Sequence, residues 1–346
     1  MLKKIEKKEK NMRNLQKSRF QLCGNTNVNS MVLILLAILS SCCVVSEANE
    51  TVSELAPSGI QKCRDVVPEC ECNDSQTTLE LHCWNVSDFE KFNENLNKRN
   101  TLYTIYLYKD SFLPRGFLRG LHVFGLVVDD PHFQGLDEKA FEGVVELEHF
   151  FVLNSSATNV PDFRFIRDSV FKIYFQNSRL ISLEGPNLQD LPELRIISFF
   201  NNSIEYVAPD AFQGTEGVTH FSISHNQLTY LPPDLFKPWT NLHTVVLSHN
   251  QLLHVDQLFF RTNPKKIYLD HNNLTDLDSV LHPGMYNVDK LYLSHNPFPR
   301  VTENSFNGKV DRVSHIGLLS HPGVQRATLD GTAQFVGIGT QLQPHR

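Results

Sequence analysis

The chain has 346 residues, 41% of them hydrophobic and 20% charged, which is the make-up of an ordinary folded soluble protein. Its formal net charge is −6, but eight basic and three acidic residues fall within the first 48 positions; without them 24 basic face 35 acidic residues, a net charge near −11. Such a surface repels phosphate backbones and anionic lipid, which argues against nucleic acid and heparin-like partners.

The basic residues of the leader are Lys3, Lys4, Lys7, Lys8, Lys10, Arg13, Lys17 and Arg19. An apolar run from Met31 to Val45 follows, and then Ser46-Glu47-Ala48, with small residues at the first and third places. This order is that of a secretory signal peptide, predicted over residues 1–48. The run of 15 residues is short of the roughly 20 that a membrane span needs. The basic part is long, so a signal anchor is one rival reading, and Leu39-Ser40-Ser41-Cys42, a lipoprotein-like cleavage box, is another. All three readings place the chain after residue 48 outside the cell. No later run is apolar enough to span a bilayer, and the predicted location is secreted, extracellular.

Residues 49–100 read as a cysteine-rich cap with a short helix. Of seven cysteines, Cys23, Cys42 and Cys43 lie in the leader, while Cys63, Cys70, Cys72 and Cys83 sit close together. Four cysteines in a secreted segment imply two disulfides, with three pairings open. Zinc is the competitor, but C-x6-C-x-C lacks the usual spacing inside a ligand pair. Ser87-Asp88-Phe89-Glu90 has capping-box spacing, and Phe89, Phe92 and Leu96 follow at helical intervals, predicting a helix from about 88 to 97.

From residue 102 the pattern LxxLxLxxNxL recurs. Its clearest copies begin at Leu194, Val218, Leu242 and Val288, with a shorter one at Pro264; weaker copies start near Leu102, Leu121, Leu147, Val170 and Val313. That makes about ten repeats over 101–323, most of them 22 to 26 residues long. Each LxL is a short strand whose two apolar side chains point the same way. Stacked copies pair these strands in parallel, and Asn202, Asn226, Asn250, Asn272 and Asn296 form a buried ladder that bonds the turning backbone. Phe141, Phe212 and Phe236 each stand six residues before the next repeat start, and Phe306 seven before, a second column that supports the register.

The repeats and cysteines resemble the extracellular leucine-rich-repeat family with its cysteine-rich N-terminal flank. The resemblance implies an α/β solenoid: a leucine-rich-repeat horseshoe with a parallel concave β-sheet and a disulfide-bonded N-terminal cap. It also implies the pairing Cys63–Cys72 and Cys70–Cys83. The family's cysteine-rich C-terminal flank is missing, and residues 324–346 read as a tail or partial cap. Cap, helix and irregular early repeats are similar to a group of secreted arthropod proteins named after the non-catalytic subunit of the shrimp luciferase that oxidises coelenterazine. That resemblance implies an enzyme subunit as partner.

Strand residues flanking the LxL pair point out from the concave face, where such solenoids bind partners. Tyr106, Tyr108, Val127, Phe151, Leu153, Tyr174 and Phe200 form an aromatic and aliphatic early group. Ser222, Ser224, Thr244 and Ser248 follow, and Tyr268 and Tyr292 then stand beside Lys266, Asp270 and Lys290. Contiguous aromatic surface marks an interaction face; a one-residue register error would turn these side chains inward instead. His225, His249, His271 and His295 precede successive ladder asparagines. They could form a metal-binding or acid-sensitive row, but S-H-N is a common spelling of an exposed strand end, and that reading is preferred. Sequons stand at Asn73, Asn85, Asn154, Asn201 and Asn273, with Asn49 at the presumed new N-terminus.

The chain carries no G-x-S-x-G, no H-E-x-x-H, no phosphate-binding glycine loop and no free cysteine after the leader. The expectation is a non-enzymatic, cofactor-free binding module for an extracellular protein or glycan-bearing partner, the alternative being a non-catalytic accessory subunit of a secreted enzyme complex.

Overall fold

The structure is a computed structural model. It describes residues 61–62, 69–74, 79–97, 103–255, 264–280, 288–298, 315–317 and 334–335. All belong to the compact unit Pro57–Arg346, and the other unit, Met1–Ala56, lies outside the described residues. So do the predicted signal peptide, Cys63, Phe306 and all but two residues of the predicted tail.

Among the described residues, one 14-stranded sheet takes its strands in chain order. It opens with an antiparallel trio, Gln61–Lys62, Cys70–Asp74 and Leu79–Trp84. From Leu79–Trp84 onward every pairing is parallel. Its next ten strands, from Tyr103–Tyr108 to His315–Gly317, each begin within two residues of one of the ten predicted repeat starts. Gln334–Phe335 adds a last strand beyond them. The fold is a parallel-sheet solenoid.

Apolar residues at every second strand position fill its interior. Ile197, Phe199, Phe221, Ile223, Val245, Leu247, Ile267, Leu269, Leu291 and Leu293 are all buried in one core with their counterparts in the early repeats. A column of rings continues that core towards the return side. Phe89 meets Phe117 edge-on at 5.6 Å, Phe117 lies 6.3 Å from Phe141, and Phe141 lies 5.3 Å from Phe163. Further along, Trp239 gathers Phe212, Phe221 and Phe236 at 5.0–5.4 Å. Its indole N–H donates to the Thr215 hydroxyl at 2.8 Å, so a fully buried polar atom has its partner. The sequence identified Phe141, Phe212 and Phe236 but not Trp239, Phe117 or Phe163.

The ladder asparagines are buried, and each serves two repeats. Asn250 Oδ1 accepts the Leu228 N–H at 3.1 Å, while its Nδ2 donates to the carbonyls of Ile223 and Leu247 at 3.0 and 3.1 Å. Asn202, Asn226, Asn272 and Asn296 repeat the arrangement. Earlier repeats use other groups at this position: Ser155 and Ser178 bond each other at 2.8 Å, and Asp110 Oδ1 accepts the Val86 N–H at 2.9 Å.

Helix is sparse. The cap helix spans Phe89–Asn97 with Phe92 and Leu96 buried, and its N-terminal cap is Asp88, whose Oδ1 accepts the Lys91 N–H at 2.9 Å. The cap therefore sits one residue later than the Ser87 capping box implies. Otherwise the described return segments are turns, a one-turn helix Leu277–Val280, 3-10 turns at Phe163–Ile166 and Pro186–Leu188, and two short parallel pairs. Cys70 and Cys83 are joined by a disulfide across the antiparallel pair. Cys72 is disulfide-bonded as well.

Candidate functional site

The open face of the sheet is the candidate site, and strand register builds it row by row. One row runs His82, Tyr106, Val127, Phe151, Tyr174, Ser198, Ser222, Val246, Tyr268 and Tyr292 across ten adjacent strands. A beside-row runs Glu80, Thr104, Gly125, His149, Lys172, Ile196, His220, Thr244, Lys266 and Lys290. A register shift between Tyr103 and Thr104 absorbs the irregular spacing of the second repeat and brings Val127 opposite Tyr106.

Neighbours in the row stack at the strand spacing. His82 lies 4.4 Å from Tyr106 at 8°, Phe151 lies 4.7 Å from Tyr174 at 17°, and Tyr268 lies 4.6 Å from Tyr292 at 6°. Beside the first pair, Trp84 stacks on Tyr108 at 5.4 Å, and His82 Nδ1 is 3.2 Å from the Tyr108 hydroxyl. Stacks of this kind hold their rings rigid before any partner arrives, so little side-chain freedom is left to lose on binding.

The nine residues named from the sequence all belong to this side of the sheet or its strand ends, but they are not equally accessible. Tyr106, Tyr108, Phe151, Phe200, Tyr268 and Tyr292 are half-buried, with area left to offer. Val127, Leu153 and Tyr174 are only 6%, 8% and 2% exposed, which corrects the expectation that they present contact surface. They are not turned into the interior, since the core residues on their strands are the alternates Leu126, Val128, Phe150, Val152, Ile173 and Phe175. Large side chains in adjacent strands bury one another, so these three support their neighbours. Phe200 stands at a strand end, its ring 4.8 Å from that of His225. His82 and the 37%-exposed Trp84 extend the aromatic row into the cap and were missed. The signal was present: Leu79, Leu81, Cys83 and Asn85 spell the repeat's strand inside the cysteine-rich segment.

Burial sets the electrostatics. It pushes the His149 imidazole down to about 3, aided by the charge of Lys172. It also raises the Tyr106 and Tyr174 phenols, and pushes Tyr108 up to about 12 with help from Asp129. These side chains are therefore neutral near pH 7; Lys172 supplies positive charge beside His149, and Lys266 and Lys290 supply it on the later strands of Tyr268 and Tyr292.

A second column runs along the strand ends, one residue before the ladder. Asn85, Lys109, Asn154, Asn177, Asn201, His225, His249, His271 and His295 all have φ between 48° and 62°. That left-handed conformation is uncommon outside glycine and is enriched in Asn, Asp and His, which explains the residue types found there. Asn201 Nδ2 donates to Asn177 Oδ1 at 2.9 Å, Asn177 Nδ2 to Asn154 Oδ1 at 2.8 Å, and Asn154 Nδ2 to Asp129 at 2.9 Å. The four histidines then stack, centroids 4.0, 4.1 and 4.0 Å apart and planes within 21°. Burial and mutual repulsion lower the pKa of His249 and His271, and burial lowers that of His225; Asp270 opposes the shift in all three. Sequon residues Asn85, Asn154, Asn201 and Asn273 are exposed; the Asn73 side chain lies outside the described residues.

Residues 168–228, 192–252 and 240–298 each match the family model described as Leucine rich repeat. Podocan-like protein 1 of Homo sapiens is 30% identical over 188 residues, covering 53% of this chain and 36% of that protein. Podocan-like protein 1 of Mus musculus is 31% identical over 190 residues, covering 54% and 34%. The chain thus spans about a third of the length of the curated relatives it matches. Among solved structures, that of the glycosylated form of the Drosophila Toll–Spatzle complex aligns with a TM-score of 0.55 at 21% identity, covering 67% of this chain and 31% of that one. At that identity the likeness is one of fold.

Proposed function

We propose that this leucine-rich-repeat protein is a secreted binding module that recognises an extracellular protein or glycan-bearing partner through the open face of its sheet. The observation that carries the reading is the aromatic row at the cap end: half-buried His82, Tyr106 and Tyr108 stacked with exposed Trp84, then Phe151 on Tyr174, with Phe200 beyond it. Tyr and Trp are over-represented among residues that dominate binding energy, because they bury large area at low entropic cost. Tyr268 and Tyr292, beside Lys266 and Lys290, form a second, more basic contact zone. The fold neighbour supports the choice of a protein partner, since its structure is that of a complex between Toll and Spatzle. The Podocan-like relatives support the same repeat class over half the chain. The module binds and does not catalyse.

A glycan on Asn201, next to Phe200 at the strand end, would limit how a partner approaches the early aromatic group. Capture of partners from the extracellular medium of the native source, read by mass spectrometry, tests the reading with a joint Tyr106→Ser, Phe151→Ser, Phe200→Ser variant. A stoichiometric partner retained by the parent and lost from the variant, at matched melting temperature, is expected. Retention by both would contradict it. A Tyr206→Ser, Ile181→Ser control, at exposed apolar positions outside the main sheet, should keep the partner.

A further inference from the structure

We infer that the strand ends of the later repeats form a surface site for a borderline transition-metal ion of the Zn2+ class, with His249, His271 and Asp270 as ligands. Ligand atoms of these three side chains all lie within 4.8 Å of one another. Tetrahedral zinc, with bonds of about 2.0–2.1 Å, needs donor atoms about 3.4 Å apart, so closure asks for roughly an ångström of side-chain movement. The movement is local. Stacked imidazoles aim their lone pairs side by side, and a turn about the outer side-chain bond makes them converge; none of the three residues is buried enough to resist it. The donor set is two imidazoles and one carboxylate, which suits Zn2+, Cu2+ or Ni2+ and not the hard cations Mg2+ and Ca2+.

Two features distinguish this cluster from a chance group of surface histidines. Asp270 is held in place, because the Ser248 hydroxyl of the preceding repeat donates to its Oδ1 at 2.7 Å; an oriented carboxylate is how metal sites fix their ligands. The stack also continues on both sides, with His225 4.0 Å from His249 and His295 4.0 Å from His271, so a fourth imidazole is within a strand's spacing whichever way the ion settles. The left-handed backbone accounts for histidine or asparagine at this column. What that backbone does not set is the carboxylate anchored beside His249 and His271, which turns two of the four stacked histidines into part of a ligand set; the three preceding repeats carry Asn154, Asn177 and Asn201 instead.

Those asparagines supply the test. His249→Asn and His271→Asn place at each position a residue that the same fold carries in its own neighbouring repeats, so the variants keep the backbone and lose the imidazoles. Isothermal titration of the full chain with zinc chloride should show saturable binding of about one ion per chain. Affinity should fall at least tenfold in the double variant and in Asp270→Asn, and by less in Ser248→Ala, with melting temperatures of the ion-free proteins unchanged. Magnesium chloride should give no heat. Absence of zinc binding, or binding left intact by the double variant, overturns the inference. If the double variant proves unstable, the single Asp270→Asn variant decides on the same criterion.

Discussion

Asp110 stands where later repeats carry a ladder asparagine, and that single-atom difference has a measurable consequence. Its Oδ1 accepts a backbone N–H of the preceding unit, that of Val86, but its Oδ2 is buried without a hydrogen-bond partner among the described residues. Burial pushes this carboxyl up to about 6, against the Val86 hydrogen bond that lowers it and with the nearby charge of Asp130 raising it further. A carboxyl raised in the folded state stabilises the fold below its unfolded value near 3.8, and that contribution is lost as pH rises through about 6. Asp110→Asn should therefore stabilise the protein at pH 7 by about 1–2 kcal/mol and change little at pH 4. Urea denaturation at the two pH values reads this directly, and equal shifts at both would refute it. Nothing in the sequence flagged the residue, because Tyr108-Lys109-Asp110 does not spell the strand end used elsewhere. The left-handed Lys109 just before it, in line with the residues that precede the asparagines, shows the equivalence. The histidine column, by contrast, was plain in the sequence as a spacing, while Asp270 and its Ser248 anchor needed the register of two strands.

The strand-and-ladder unit was the most legible element, since its period is set by packing and hydrogen bonding alone. In the copy at Leu242, Val245 and Leu247 face the core, and Asn250 satisfies backbone groups of its own and the preceding repeat. Asn250→Ala would strand the Leu228 N–H and remove donors from two carbonyls, at a cost of roughly 2–3 kcal/mol. Denaturation in guanidinium chloride should show that loss, and a change under about 0.5 kcal/mol would mean the ladder is decorative. The cap was less legible. Its helix lay where the apolar spacing put it, but the N-cap moved to Asp88, and the strand Leu79–Trp84 joined the sheet although the cysteines drew attention to it as a separate module. Breaking the Cys70–Cys83 bridge, whose ends are 13 residues apart, with Cys70→Ser and Cys83→Ser should destabilise the chain by roughly 3 kcal/mol. The cap strand should then show the earliest proteolytic cuts; an unchanged cleavage pattern would show that packing against Tyr103–Tyr108 suffices.

At the scale of the whole sheet, sequence alternation located the open face, whereas exposure along it was not readable. Side chains in adjacent strands cover one another, which is why Tyr174 vanishes beneath Phe151 while Tyr106 stays accessible between His82 and Val127. The result is a face with aromatic zones at both ends and small residues, Ser198 and Ser222, between them. The narrower likeness of cap and helix to the shrimp-luciferase group remains a reading of the sequence. The leucine-rich-repeat fold itself rests on strand register and on the matched repeats over 168–298. Hydrogen–deuterium exchange of the chain with and without its captured partner tests the central claim most directly. The account predicts added protection in Leu79–Trp84, Tyr103–Tyr108 and Glu146–Leu153, with the return segments at 182–183 and 206–207 unchanged. Protection confined to those return segments, with the open-face strands unaltered, would contradict it.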